Sequence, residues 1–144
     1  MKVAASKQFV LDASVALAWC FPDESSPYTE AILDRLASGG AAIVPAIWPF
    51  EVANALLVAE RRGRVSMAQV TNFLQRITNL PIALDPSRVD RAFGPILLAA
   101  RSEKLTEYDA AYLELAIRES SPLATLDAEL RRGARATGVA LITL

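Results

Sequence analysis

Histidine is absent from all 144 residues, and this removes the usual general base of hydrolases, the Ser-His-Asp and Cys-His arrangements, and zinc sites built on imidazole. Cysteine occurs once, at Cys20, so no disulfide can close within the chain. A lone Cys suits a reducing compartment, and in apolar sequence it reads as a small core hydrophobe rather than a nucleophile. No apolar run reaches the ~18 residues a membrane span needs, because Pro, Asp, Glu or Arg interrupts each candidate. The opening MKVAASKQFVLD passes into strand-like sequence without a long apolar stretch and cleavage site, so no signal peptide is expected. These absences predict a cytoplasmic protein without a membrane segment. An excess of one charge is lacking too: the formal net charge is −1, so a polyanion must be met by a local basic patch.

What is present is a large apolar fraction, 53% of residues, which is high for a soluble monomer and predicts that a second copy or a tightly held partner covers the surplus. The length suits one domain spanning 1–144, and no repeat, linker or low-complexity tract divides it. Short apolar runs at 8–12, 41–45, 80–84, 122–126 and 139–144 read as strands. Helical patterns lie between them: 13–21, 27–38 with Ser26 as N-cap and Pro27 at the first position, 46–63 closed by Gly63, and a segment to about Asn79 opened by a Ser66/Gln69 capping box. A helix from Asp85-Pro86 to about Lys104 is expected to bend or break at Gly94-Pro95, and two more occupy 106–120 and 127–136. Strands that alternate with helices and are continuously apolar predict an α/β fold. Its form is a three-layer α/β/α sandwich with a central, mostly parallel five-stranded sheet.

Four carboxylates interrupt this apolar sequence: Asp12 in FVLDASVALAW, Glu51 in WPFEVANALL, Asp109 in LTEYDAAYLELA and Asp127 in PLATLDAEL. A carboxylate taken out of water needs a partner or a proton, and without histidine a hard divalent cation, Mg2+ or Mn2+, is the expected partner of a converging set. Asp12 ends the first strand and Asp127 follows the fourth, so both are predicted at the carboxyl edge of a parallel sheet, where ligands bind at a topological switch point. Asn54 lies three residues after Glu51 and shares its helical face. Each acid also has a plainer explanation except one. Asp12 and Asp127 precede helices, where Asp serves as an N-cap, and Thr106 with Asp109 fits a capping box. Glu51 has no cap position to explain it.

Two basic groups could meet a phosphate chain, Arg61, Arg62 and Arg64 in one and Arg131, Arg132 and Arg135 in the other. Both also lie near helix C-termini, where cations complement the dipole and stay solvated. Trp19, Phe21, Trp48 and Phe50 read first as core or partner contacts, with base stacking open to any ring exposed beside the acids.

Taken in order, VLDASVALAW, FEVANAL, LTEYDAAYLELA and LATLD resemble the PIN-domain family over nearly the whole chain, and within it the VapC-type toxins of type II toxin–antitoxin pairs. The resemblance implies a Mg2+- or Mn2+-dependent ribonuclease whose acidic site is Asp12, Glu51, Asp109 and Asp127, these four being both the candidate catalytic residues and the candidate metal ligands. Asp12 and Asp109 are expected as principal ligands, with Glu51 and Asp127 completing the site. It assigns Ser14, Asn54 and Thr106 supporting positions. It further implies an RNA substrate, a homodimer, and a small antitoxin that inserts a C-terminal segment into the groove. Relatives that carry another Asp or Asn soon after the fourth acid differ from this chain, which has Glu129. Two other readings remain open: a Mg2+-dependent phosphotransfer or phosphatase-like domain using Asp12, and a non-catalytic dimeric binding module whose acids only cap helices.

Overall fold

The computed structural model describes residues 7–86 and 88–144. Residues 1–6, on which part of the export reading rests, and Ser87, inside the helix expected from 85 to 104, lie outside them. The described strands are β1 (Gln8–Leu11), β2 (Ala41–Val44), β3 (Ile82–Leu84) and β4 (Leu123–Ala124). They form one sheet in the order β3-β2-β1-β4, with every pair parallel. Val10 is in register with Ile43 on one side and Leu123 on the other. Phe9, Val10 and Leu11 are fully buried, as a central strand covered on both faces must be.

The helices are α1 (Ala13–Ala18), α2 (Pro27–Ala37), α3 (Trp48–Arg61), α4 (Met67–Thr78), α5 (Val89–Phe93), α6 (Pro95–Glu103), α7 (Glu107–Arg118) and α8 (Ala128–Thr137), with a 3-10 turn at Pro22–Glu24. Together with the sheet they make the expected three-layer α/β/α arrangement. Local chemistry sets several boundaries. Ser26 accepts from the Thr29 N–H at 3.2 Å while the Thr29 hydroxyl accepts from the Ser26 N–H at 3.0 Å, and Pro27 occupies the first position of α2. The Ser66/Gln69 box opens α4 in the same way, at 3.1 and 2.8 Å.

Two expectations are corrected and one is met. The segment 139–144 is not a fifth strand: it touches the sheet through one bridge, Leu123 to Leu141, flanked by hydrogen bonds from Leu123 N–H to Ala140 O and from Ile142 N–H to Leu123 O, both 2.9 Å. The strand it would join, β4, is only two residues long, so four strands are formed rather than five. The helix expected to begin at Asp85 starts later, because the Asp85 N–H donates to Val44 O at 2.8 Å and prolongs the β2–β3 pairing. As expected, that helix is broken in two at Gly94. A Cβ at Gly94 would lie 2.7 Å from the Asp90 carbonyl oxygen, and Pro95 then opens α6.

One buried charge cluster has no counterpart in the sequence reading. Glu114 on α7 is buried and accepts from Arg118 Nε at 3.0 Å and from the Arg91 guanidinium, which reaches over from α5. Arg118 also holds Asp85 through two bonds of 3.1 and 2.8 Å, so the end of β3, α5 and α7 are tied at one point.

Candidate active site

β1 delivers Asp12 to the carboxyl edge of the sheet, between β2 and β4, where the chain order reverses. The Asp12 side chain occupies the N-cap position of α1 without making a cap hydrogen bond, and the residue is 6% exposed. Instead, Ser14 Oγ donates to Asp12 Oδ2 at 2.6 Å and Thr125 Oγ1 donates to the same oxygen at 2.7 Å. Both hydroxyls also accept: Ser14 from the Leu126 N–H at 3.1 Å, Thr125 from the Asp127 N–H at 3.0 Å. These side chains take the backbone donors that would have prolonged β4 toward residue 126, which explains why the fourth strand stops at Ala124.

Asp127 does cap its helix, accepting from the Leu130 N–H through Oδ1 at 2.8 Å. Glu51 lies in the first turn of α3 and accepts from the buried Tyr112 hydroxyl through Oε1 at 2.6 Å. Thr106 caps α7 by accepting from the Asp109 N–H at 3.1 Å, but the reciprocal bond of a full capping box is not formed. The Asp109 carboxylate interacts with the Thr106 hydroxyl instead.

Burial raises the Asp12 pKa above the ordinary carboxylate range, against the Ser14 and Thr125 hydrogen bonds, and the nearby Asp127 raises it further. Glu51 is raised by burial, against the Tyr112 hydrogen bond, and by Asp12 and Asp109. Asp109 is raised by burial and by Asp127 and Asp12. The Asp12 charge thus acts on both Glu51 and Asp109, and the Asp127 charge on both Asp12 and Asp109. Among the described residues no Lys or Arg forms a salt bridge with any of them.

An all-oxygen donor set whose members repel one another and lack a cationic side chain fits a hard divalent cation. Among the described residues no three acidic side chains close around one point, so water would complete the coordination, as suits Mg2+, which usually retains several waters. Asp12, Glu51, Asp109 and Asp127 are the candidate oxygen donors at this edge.

The other candidates are scattered more widely. Asn54 lies one turn after Glu51 and is exposed. Arg64 stacks over Phe21 at 4.0 Å and grips Asp23 through bonds of 3.0 and 2.9 Å. It lines a groove of about 590 Å³ that also contains Ser14 and Asp127. Arg61, Arg62 and Arg135 are exposed, Arg132 pairs with Glu129 at 3.0 Å, and Arg131 donates from Nε to Thr125 O at 2.9 Å. Of the aromatic group, Phe21 and Trp48 are buried and Trp19 is half-buried, whereas Phe50, the residue before Glu51, is 71% exposed. Asp85, the second acid a phosphotransfer site would need, is engaged by Arg118.

Sequence reading overlooked Thr125 and Tyr112. Each had a signal: Thr125 is a hydroxyl two residues before Asp127, and Tyr112 is three residues after Asp109, on the same helical face.

Comparison with known proteins gives a match to the PIN domain over residues 9–136. Ribonuclease VapC3 of Pyrobaculum aerophilum is 29% identical over 123 residues, covering 85% of this chain and 92% of the relative. In structure, the chain resembles PAE2754 from Pyrobaculum aerophilum with a TM-score of 0.66 at 24% identity, over 88% of this chain and 78% of that one. It also resembles VapBC2 from Rickettsia felis, solved bound to a DNA fragment from their promoter, with a TM-score of 0.64 at 13% identity over 94% and 97% of the two chains.

Proposed function

The chain belongs to the PIN-domain family, and from that premise we propose that it is a divalent-metal-dependent ribonuclease serving as the toxin of a toxin–antitoxin pair. The observation that carries the reading is the cluster at the sheet edge, where burial raises the pKa of Asp12, Glu51 and Asp109, the Asp12 charge acts on both of the others, and no basic side chain is paired to them. The relation to Ribonuclease VapC3 supports the choice of RNA as substrate.

Asp12 and Asp109 are the principal ligands, and Glu51 and Asp127 complete the set. Bound there, Mg2+ or Mn2+ supplies Lewis-acid stabilisation of a phosphoryl oxygen and a water acidic enough for in-line attack near neutral pH. Ser14 and Thr125 hold one Asp12 oxygen and so orient the other, Thr106 fixes the first turn of α7 beneath Asp109, and Asn54 flanks Glu51. The RNA backbone follows the groove lined by Ser14, Asp127 and Arg64, and the exposed Arg61 and Arg62 belong to the same basic group in sequence. Arg131, Arg132 and Arg135 form a second basic face, of which Arg135 is the freest to reach phosphate. Phe50 offers a stacking surface next to Glu51.

The partners are the RNA, a second copy of the chain, and a small cognate antitoxin that blocks the groove. Exposed Val89, Phe93 and Leu98 on α5 and α6 support the need for a protein partner. No described helix is long and apolar enough to cross a membrane, and the free Cys20 accords with a reducing cytoplasm.

The test is cleavage of single-stranded RNA by the purified chain. Activity should require Mg2+ or Mn2+, stop with EDTA, and be lost in Asp12→Asn while the thermal unfolding of that variant stays cooperative. Undiminished cleavage by Asp12→Asn, or cleavage indifferent to EDTA, overturns the reading. If wild type binds no Mn2+ by calorimetry and cleaves no RNA, the non-catalytic dimer module takes its place.

A further inference from the structure

Tyr112 is among the largest fully buried side chains in the protein, yet its hydroxyl is spent on a single distant carboxylate, Glu51, 61 residues earlier. A buried phenol needs a partner, and a backbone carbonyl would have served as well. What it has is Oε1 of a half-buried Glu51 at 2.6 Å. Among the described residues this is the one side-chain hydrogen bond joining α3 to α7, the helices that carry Glu51 and Asp109. One hydroxyl thus joins the helix that carries Asp109 to the Glu51 carboxylate on α3.

We infer that Tyr112 is a positioning residue for the acidic centre: its phenol fixes the Glu51 side chain so that Oε2 is presented toward Asp12 and Asp109. Glutamate has three rotatable side-chain torsions, and Glu51 is repelled by both of those acids. Without the phenol the carboxylate has every reason to swing outward to water. With it, that entropy and repulsion are met during folding instead of at the moment a cation arrives, which is how a hydrogen bond to a ligand's remote oxygen acts on affinity. The inference rests on the metal-site reading above, and it adds a residue that touches neither cation nor substrate.

Tyr112→Phe removes only the hydroxyl. The experiment has two readouts: Mn2+ affinity by calorimetry, and the Glu51 side-chain conformation in metal-free crystals of wild type and variant. Positioning predicts a variant that stays folded, binds Mn2+ about 10–100-fold more weakly, and has Glu51 displaced from its wild-type rotamer. A double-mutant cycle guards against a general loosening of the core. In a Glu51→Gln background the further effect of Tyr112→Phe on Mn2+ affinity should largely vanish, because the route through Glu51 is already cut. Equal Mn2+ affinity with an unmoved Glu51 overturns the inference, as does a loss of affinity that persists undiminished in the Glu51→Gln background. Should wild type bind no Mn2+, the metal reading fails, and the Glu51 conformations alone still decide whether Tyr112 positions it.

Discussion

Asp12 and Thr125, 113 residues apart, meet in a buried 2.7 Å hydrogen bond in which the threonine hydroxyl donates to Asp12 Oδ2. The same hydroxyl accepts from the Asp127 N–H at 3.0 Å, so one oxygen fixes the spacing between the first and last of the four candidate acids. Ser14 duplicates the arrangement one residue away, between Asp12 and Leu126.

Replacing Thr125 with Val keeps the side-chain shape and removes this link. A buried carboxylate oxygen loses a donor and a backbone N–H loses its acceptor, a change worth about 1–3 kcal/mol. Thr125→Val should therefore lower the urea midpoint and reduce RNA cleavage together, whereas Ser14→Ala, with Thr125 intact, should do both more mildly. Unchanged stability and cleavage in Thr125→Val would remove the link from the account.

The raised carboxylates make a prediction about pH. Asp12, Glu51 and Asp109 have folded-state pKa values above their ordinary values of 3.8, 4.5 and 3.8, chiefly through burial. In the window between the ordinary and raised values the folded chain holds more protons than the unfolded chain, so their contribution to metal-free stability falls as pH rises through that window. The penalty is largest on the alkaline side of that window. Asp109→Asn should accordingly melt higher than metal-free wild type at pH 7, with the difference shrinking as pH falls to about 4, where the unfolded carboxyl also protonates. Mn2+ should reverse the ranking, since a ligand at 100 times its Kd stabilises the native state by about 2.7 kcal/mol. Asp109→Asn melting below metal-free wild type at pH 7 is the result that contradicts this.

The sequence made the sheet edge legible because two of its acids directly follow apolar runs, and a parallel sheet places such residues on one side. It also marked the caps at Ser26 and Ser66, where the signal is local. It missed what depends on distant partners. Nothing near Asp12 announces that Thr125 will donate to it, and nothing near Glu51 announces Tyr112. The same blindness turned 122–126 into a full strand, whereas Ser14 takes the Leu126 N–H and Thr125 takes the Asp127 N–H just beyond it. Segment 139–144 looked like a strand by composition, but pairing needs a neighbour long enough to pair with.

Phe50 gives a test of where RNA lies. Its ring is exposed and its neighbour is Glu51, so it can stack a base without disturbing the core. Phe50→Ala should cost about 1–3 kcal/mol of single-stranded RNA affinity and leave the melting temperature unchanged. Arg62→Ala should weaken binding differently, reducing the slope of log K against log salt by about 0.7 if it holds one phosphate. Both are read in one fluorescence-anisotropy titration on inactive Asp12→Asn protein. An unaltered affinity for Phe50→Ala excludes stacking there, and an unaltered slope for Arg62→Ala excludes the phosphate contact.

Glu114 separates stability from the site. It is buried between Arg91 and Arg118, and its removal leaves the two guanidinium groups in unequal positions. Arg118 retains Asp85 at 2.8 Å, whereas Arg91, with no other salt bridge among the described residues, must turn to water. Its side chain is 29% exposed, so water is within reach and the full cost of an orphaned buried charge does not apply. Glu114→Ala should therefore destabilise the protein by about 1–3 kcal/mol in urea. The first turn of α7 is held independently by Thr106, so Mn2+ affinity should stay at the wild-type value. Equal stability means that the cluster contributes nothing net to the fold, and a parallel loss of Mn2+ affinity means that the cluster extends its influence along α7 to Asp109.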